Sequence, residues 1–315
     1  MVKNALAVGS VSPDTAHVSN FGQLHIQTLA GGTDEDLAYA AGVLEGALTS
    51  ERITQATNNL YCQINCTGSV PAEITTYLDE QLAWTEAQIA SNPDDPYWSF
   101  NSVTLQQWKG LMEGYAQTAA DPVADVLWAM RLVNFVGDLF DIKPAVLPQN
   151  RPKVEEMEPE EITAYMRSTG HCSAILRVAD DLSDIFFGHS SWFVYSNMLR
   201  YYKTYDFTSL KVDIPSKRTS FSSYPGMISS LDDFYLNHDT GLSMLQTTNN
   251  VFNTKLYDLI VPETLPAWFR VRAANALAET GEEWYETVKR ENSGTYNNQV
   301  RNPPLPANEA ERLVS

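Results

Sequence analysis

The chain has 315 residues, of which 43% are hydrophobic and 19% are charged, so it has enough apolar residues to bury a core. Its 39 acidic residues outnumber 21 basic ones, and the formal net charge of −18 argues against a nucleic-acid partner because such a chain repels phosphate backbones. Residues 123–142 form the longest apolar stretch, but it is interrupted by side chains that exclude a membrane span: Asp125, Arg131, Asn134, Asp138 and Asp141.

The start of the chain and its cysteines bear on the cellular compartment. Residues 1–9 carry one lysine and too few apolar residues for a secretory signal, so we expect an intracellular protein or a chain that begins downstream of its signal. Cys62 and Cys66 are close enough for a small disulfide, whereas C-x₃-C without a nearby histidine is a poor zinc site. Asn65 begins an Asn-Cys-Thr sequon, a glycosylation candidate in the secretory pathway.

The first 142 residues are predicted to be mainly helical. Alternation with β-branched residues predicts a strand at 23–29. Thr33 and Asp36 form the pattern of a capping box, followed by apolar residues at helical spacing. Three further helices are predicted, at residues 71–91, 105–119 and 123–142.

The composition changes after residue 142. Residues 143–171 contain four prolines and the acidic run 155–161, which predict a solvated linker with one short helix at 160–167. Beyond it the period changes to that of strands, at 172–178 and 185–189.

Downstream of these strands, Ser190 or Ser191 is predicted to cap a helix with an apolar face formed by Trp192, Tyr195, Met198, Leu199, Tyr202 and Tyr205. A strand at 242–248, a long helix at 266–290 and an unstructured tail at 301–315 follow. The fold class is therefore α+β. We divide the chain into a helix-rich part, a linker, a strand-helix part and a tail: 1–142, 143–171, 172–299 and 300–315.

Cys172 has no evident disulfide partner and lies in a pattern that suggests a nucleophile. A hairpin turning near Asp181 would bring Cys172 opposite residues near 190, with His189 and Trp192 at the same end of the sheet. A thiol needs a base because its pKa lies at about 8.5, and cleavage before Cys172 would supply an α-amino group with a pKa of about 8. The alternative is that Cys172 is a small buried hydrophobe and that His189 caps the hairpin.

Other catalytic patterns are weaker. His171, Cys172 and His189 lack the spacing of a metal site, so we expect no metal or cofactor. The segment 188–192 has Trp192 where a serine-hydrolase elbow needs glycine. Asp232 and Asp233 are adjacent, so at most one can face a site, and hydrogen bonding in a turn is their expected role.

Several motifs resemble the phospholipase B-like proteins, among them Cys-Ser-Ala-Ile at 172–175 and His-Ser-Ser-Trp at 189–192. The similarity runs from about Ala5 to Gln299. The other motifs lie at 39–46, 92–98, 195–200, 221–226, 232–235, 245–248 and 292–299.

The resemblance implies an N-terminal-nucleophile hydrolase with an αββα sandwich. Such a protein cuts itself between His171 and Cys172, after which Cys172 supplies both the nucleophilic thiol and the basic amine. His189 and Trp192 match pocket residues of the family. A pocket strand corresponds to Gln246, Thr247 and Thr248, and Gln246 stands where the family commonly has glutamate.

The family resemblance also bears on substrate and location. It implies hydrolysis of acyl ester bonds in phospholipids, with N-acyl amides as the alternative, and at most peripheral contact with a membrane. A lysosomal or secreted, glycosylated protein is implied, which would give Asn65 a role.

The likeness ends at Val300, where the family has tryptophan. The family's later asparagine of the oxyanion hole and its pocket arginine have no counterpart, so we expect an incomplete sandwich from a fragment, a shortened isoform or a faulty gene prediction. A non-catalytic lipid-binding or unstable product is the competing hypothesis, and a cytosolic helical interaction protein is the third.

Overall fold

In a computed structural model, the described residues are 5–12, 21–65, 70–169, 172–231 and 233–302, with the side chains of 61–65 and 168–169 left out. Helices dominate the first half of these ranges. They are α1 (Asp34–Leu48), α2 (Ser50–Asn65), α3 (Ala72–Ser91), α4 (Pro96–Thr118), α5 (Val126–Asn134), α6 (Val136–Val146), α7 (Pro159–Thr169), α8 (Ala267–Leu277) and α9 (Gly281–Val288).

Local sequence signals explain where several helices begin. The Thr33 side chain accepts a hydrogen bond from the Asp36 amide, and the Asp36 carboxylate accepts one from the Thr33 amide, which confirms the predicted capping box of α1. Asp95 caps α4, and Pro96 occupies its first turn, where a missing N–H costs nothing.

The described strands form two sheets. They are β1 (Ala7–Ser12), β2 (Gly22–Thr28), β3 (Cys172–Val178), β4 (Ile185–Ser191), β5 (Tyr201–Asp206), β6 (Arg218–Ser223), β7 (Phe234–Asn237), β8 (Ser243–Thr248) and β9 (Asn298–Arg301). Seven of them form one mixed sheet in the order β1-β2-β5-β6-β7-β8-β9, in which β2 and β5 are parallel and the other pairs antiparallel. Strands β3 and β4 form a separate hairpin.

The large sheet separates a helical layer from the hairpin. Leu24, Ile26 and Tyr205 are buried on its helical face, because alternate residues of a strand point to the same side. On the opposite face, Phe234 of β7 stacks on Phe187 of β4 with ring centroids 5.4 Å apart. The predicted α+β class is therefore confirmed, with helices, the large sheet and the hairpin in three successive layers.

A buried ion pair joins the helical layer to the sheet. Lys203 of β5 lies 2.7 Å from Glu45 of α1, and both side chains are fully buried. Glu45 also accepts a hydrogen bond of 2.5 Å from the Tyr205 hydroxyl, and the Lys203 ammonium donates to the Met227 carbonyl at 2.5 Å. These bonds satisfy both charges, as burial requires.

The predicted strands at 23–29, 172–178, 185–189 and 242–248 are confirmed as β2, β3, β4 and β8. The helix predicted from Ser190 or Ser191 to Tyr205 is wrong. A 3₁₀ turn at Tyr195–Asn197 is followed by β5, because pairing with β2 and β6 gives Tyr201–Asp206 an alternating buried pattern. Aromatic residues are compatible with both the helical and the strand period, so their spacing alone could not distinguish a helix from a strand here.

Two predicted helices are divided in the structure. The helix predicted at 123–142 is broken after Asn134 into α5 and α6, and α6 continues to Val146 with Pro144 inside it. The helix predicted at 266–290 is broken at Ala278, and Thr280 caps the new helix α9 by accepting a hydrogen bond from the Glu283 amide. The short helix predicted at 160–167 is confirmed as α7.

Among the helices of the described ranges, none combines the length and apolar character that a bilayer crossing requires.

Candidate active site

The hairpin places Cys172 and His189 on the same face. Cys172 pairs with Ser191 and Ala174 pairs with His189, so the predicted position of Cys172 opposite residues near 190 is confirmed. Directly opposed residues of an antiparallel pair point to the same side, as do residues two apart along a strand. Cys172 and His189 are therefore diagonal neighbours on one face of the hairpin.

The Cys172 thiol is half-buried and has two hydrogen-bonding neighbours, the Ser191 hydroxyl and the Trp192 backbone amide. Burial is the largest effect and raises the pKa of the Cys172 thiol, and Asp233 raises it further, while the two donors and Arg200 lower it. The thiol is thus protonated at neutral pH, and a base must remove its proton before it can act as a nucleophile.

His189 is held as a neutral imidazole. Burial lowers the pKa of His189 to about 4, although a hydrogen bond to the Gln246 backbone favours the charged form. Its Nε2 makes no hydrogen bond to a described protein group. With the other ring nitrogen directed at the Gln246 carbonyl, Nε2 remains as an acceptor on the hairpin face that carries Cys172.

Trp192 contributes to the site in a way that the sequence did not predict. Its backbone N–H is directed at the Cys172 thiol, whereas the residue as a whole is 53% exposed. The hairpin pattern predicted Trp192 at the same end of the sheet as the thiol. In the structure the main chain of Trp192 is the part that contacts the Cys172 thiol.

The three residues predicted on the pocket strand face in two directions. Leu245 pairs with Phe234, whose ring contacts the hairpin, so Leu245 and then Thr247 face the hairpin. Gln246 and Thr248 alternate to the helical face. The Gln246 amide donates to Asp233 at 2.5 Å and to the Tyr296 hydroxyl at 2.9 Å, and so it lies beneath the sheet.

A cavity of about 530 Å³ lies between the hairpin and the large sheet. Its walls are largely aromatic and aliphatic, with a few polar groups, which is the usual composition of a small-molecule pocket. The lining residues are Phe21, Gln23, Phe187, Gly188, His189, Ser191, Arg200, Tyr202, Ser222, Phe234 and Leu236. Because Ser191 pairs with Cys172, the nucleophile candidate lies at the edge of this cavity.

Two charged residues act on the thiol in a way that was not predicted, although Asp233 had been considered as a carboxylate that could face a site. Arg200 lies over the Tyr224 ring at 4.6 Å and over the Phe21 ring at 5.4 Å, and it lines the cavity. Asp233 is buried, has a left-handed backbone with φ of 44°, and receives the Gln246 hydrogen bond. Burial raises its carboxyl pKa well above the usual value. Both residues reach the site through strand pairing between distant segments, which leaves no local sequence signal.

Some predicted residues lie outside the described part of the chain: His171, Cys66, Asp232 and the side chains of Cys62 and Asn65. The cleavage, disulfide and glycosylation predictions therefore stay predictions. Within the described ranges, no three His, Cys, Asp or Glu residues are grouped as a metal site requires.

Comparison with known proteins covers nearly the whole chain. A family profile described as Phospholipase B matches residues 7–301. "Phospholipase-B 81" of Drysdalia coronoides is 41% identical over 302 residues, which are 94% of this chain and 54% of the relative. "Phospholipase B-like 1" of Homo sapiens is 36% identical over 306 residues, which are 95% of this chain and 53% of the relative. The chain thus spans about half the length of these curated relatives.

Proposed function

This chain belongs to the phospholipase B family, and from that premise we propose that it carries the nucleophile of a hydrolase that removes acyl groups from phospholipids. The observation that carries the proposal is the Cys172 thiol at the edge of the apolar cavity, with its hydrogen-bond donors and a neutral His189 on the same hairpin face. An acyl chain needs such apolar walls, and an acyl carbon needs a nucleophile beside them.

The first step of the proposed mechanism is scission of the bond between residues 171 and 172. The Cys172 sulfur attacks the carbonyl carbon of residue 171, the bond to the Cys172 nitrogen breaks, and that nitrogen takes up a proton. Water then hydrolyses the resulting thioester. The products are a free carboxyl group on residue 171 and a Cys172 with both a thiol and an α-amino group.

The new α-amino group is the proposed base for turnover. A free α-amino group has a pKa of ~8, whereas the pKa of His189 lies at about 4, so the amine competes better for the thiol proton. The thiolate attacks the acyl carbonyl of the substrate, the alcohol leaves with the proton held by the amine, and water hydrolyses the acyl thioester. His189 acts as a hydrogen-bond acceptor that orients the amine.

A phospholipid fits the cavity better than a neutral acyl amide because of Arg200. This guanidinium lies against the aromatic rings of Tyr224 and Phe21 and lines the cavity, where it offers a fixed positive charge to a phosphodiester. The stacked apolar rings of Phe187 and Phe234, which also line the cavity, suit the acyl chain. The proposed contact with a membrane is peripheral, through the substrate alone.

We place the protein in an acidic lysosomal or secreted compartment. Its net charge of −18 and its buried Asp138, Asp141 and Asp233, whose pKa values burial raises, both favour folding at low pH. In that compartment Asn65 would carry a glycan, and Cys62 with Cys66 would form a disulfide.

Mass spectrometry of the 315-residue chain held near pH 5 tests the proposed scission. We expect two fragments, the second beginning at Cys172, and release of fatty acid from phosphatidylcholine vesicles by the cleaved protein. The variant Cys172→Ala should do neither, whereas Ser173→Ala, an exposed neighbour on the same strand, should do both. A new terminus elsewhere, or turnover that survives Cys172→Ala, would exclude the mechanism. Cleavage with turnover of N-acyl amides alone would retain the nucleophile and exclude the phospholipid.

The electrostatic part of the proposal has a separate test. Arg200 lowers the pKa of the Cys172 thiol, so Arg200→Met should raise that pKa and slow alkylation by iodoacetamide at neutral pH. Arg218→Met removes a half-exposed arginine that pairs with Asp239, and it should leave the alkylation profile unchanged. Equal profiles for the two variants would show that Arg200 does not act on the thiol.

A further inference from the structure

A second, smaller cavity lies on the helical face of the large sheet. Its volume is about 30 Å³, which accommodates roughly two water molecules. Helix α8, strands β5 to β7 and the segment 207–217 surround it. The lining residues are Phe100, Tyr205, Phe207, Ile214, Ser216, Lys217, Thr219, Phe221, Ile228, Tyr235, Asn237, Arg272, Asn275 and Ala276.

Three buried side chains that line this cavity carry N–H donors. Arg272 and Asn275 lie three residues apart on α8, hence on one face of the helix, and Asn237 lies on β7. Their relative exposures are 7%, 4% and 0%. The Arg272 Nη1 and the Nδ2 atoms of both asparagines make no hydrogen bond to a described protein group.

The amide orientation of Asn275 is fixed by its neighbour. The Trp284 indole N–H can act only as a donor, and it lies 2.8 Å from the Asn275 Oδ1. The oxygen is therefore used, and the Nδ2 must point elsewhere. The Asn237 Oδ1 likewise accepts from the Thr219 hydroxyl at 3.2 Å. The atoms of these three side chains that have no protein partner are therefore N–H donors, and a ligand in the cavity would have to accept hydrogen bonds from them.

The charge around the cavity is positive. Arg272 and the half-buried Lys217 line it, and none of the described lining residues is acidic. The carboxylate that acts on Arg272 is that of Glu45, which is already paired with Lys203. The Arg272 guanidinium lies over the Tyr205 ring at 5.7 Å, but Lys203, Arg272 and Glu45 together leave one buried positive charge without a carboxylate of its own, in a protein whose net charge is −18. A buried charge of this kind is costly unless it is compensated.

We propose that this cavity binds a monovalent halide-sized anion, with Arg272, Asn275 and Asn237 as its donors. Such an ion accepts N–H bonds from several directions, neutralises the unpaired guanidinium and fits the volume. Phosphate and carboxylate-bearing metabolites exceed the volume of about 30 Å³. Water fits but leaves the buried charge in place. The ion would tie α8 to the sheet, and the site is separate from the hairpin cavity because it lies on the opposite face.

Thermal unfolding in sodium chloride, sodium bromide and sodium gluconate at equal ionic strength tests the proposal. We expect the Tm to rise by about 2–4 °C with chloride and bromide and to saturate, because a ligand that binds the folded state alone stabilises it by mass action. Gluconate, which is too large for the cavity, should give no saturating rise. In crystals grown with bromide, an anomalous peak should lie within hydrogen-bond distance of the Arg272 Nη1.

Two variants separate binding from a general loss of stability. Asn275→Asp keeps the oxygen that Trp284 needs and places a carboxylate in the cavity, so it should fold and lose the halide response. Arg270→Met removes a buried arginine of the same helix that bonds to Leu265, Val288 and Ser293 and does not line the cavity, so it should lower the Tm and retain the response. Equal responses to gluconate and halides, or a bromide crystal with water alone at the site, would overturn the proposal.

Discussion

Helices α1 and α4 touch through glycines, and replacing one with alanine tests how closely they pack. The four are Gly42 and Gly46 on α1 and Gly110 and Gly114 on α4, each pair spaced G-x-x-x-G. A Cβ atom on Gly42 would lie 2.0 Å from the Gln107 carbonyl oxygen, and one on Gly110 would lie 2.1 Å from that of Tyr39. To reach an ordinary contact of about 3.4 Å, the helices must separate locally by about 1.4 Å.

The Gly42→Ala variant should therefore be less stable than the parent, although a Gly→Ala substitution in a helix usually increases stability. In a helix interior this substitution gains about 1 kcal/mol of helix propensity. Overpacking of a core costs about 1–3 kcal/mol and sometimes more, and the obstructing atoms here belong to the backbone and cannot turn aside. We expect a net loss of about 2 kcal/mol in the free energy of unfolding, measured by urea denaturation with an unchanged m-value.

The controls for this experiment come from the same chain. Gly281→Ala, in the first turn of α9, would place its Cβ 3.6 Å from the nearest atom and should be neutral or slightly stabilising. The double variant Gly42→Ala/Gly110→Ala should cost less than the two single variants together, because one separation of the helices accommodates both methyl groups. If Gly42→Ala is as stable as the parent, α1 and α4 do not meet as described.

Three further predictions concern buried charge. Lys203→Met strands the fully buried Glu45 carboxylate and should cost about 3–5 kcal/mol in urea denaturation, and a loss below 1 kcal/mol would contradict the described pair. Burial raises the pKa of Asp141 to about 7, so the folded state binds the extra proton between about pH 4 and 7. The free energy of unfolding should then fall with rising pH across that window, by up to about 4 kcal/mol, and a flat profile would refute this assignment. Gln246→Glu puts a second carboxyl group in contact with that of Asp233. The variant should be tolerated near pH 5, where the two groups share a proton, and lose about 1–3 kcal/mol in the free energy of unfolding at pH 7; equal losses at both pH values would exclude the shared proton.

Elements with signals inside their own segment were predicted well. The capping box at Thr33 and the hairpin that joins Cys172 to Ser191 depend on residues that are close in sequence. Because the numbers of paired residues in an antiparallel ladder have a constant sum, the predicted hairpin also placed His189 at the same end of the sheet as Cys172. The direction of Thr247 also follows from alternation, but only once the register with β7 is known.

Several features that depend on pairing between distant segments were not predicted. The tyrosine-rich segment 195–205 fits a helix by spacing, yet strand β5 lies there because β2 and β6 are available on either side. Arg200 and Asp233 reach the thiol through the same long-range pairing, and their local sequence is that of a loop end and a turn. Only the folded chain shows that Arg200 stacks on Tyr224 and that Asp233 is buried beneath β8.

The sequence by itself determined the acidic character, the α+β class and the hairpin with its thiol and imidazole, since composition and short-range periodicity decide each of these. The tertiary structure decided which groups surround the thiol and which charges remain buried. The ion pair between Glu45 and Lys203 forms because helix α1 packs against the large sheet. The cavity that Arg272 lines likewise forms only where helix α8 packs against that sheet. The pKa of a side chain depends on its burial and its neighbours, and both arise only when segments far apart in the chain come together.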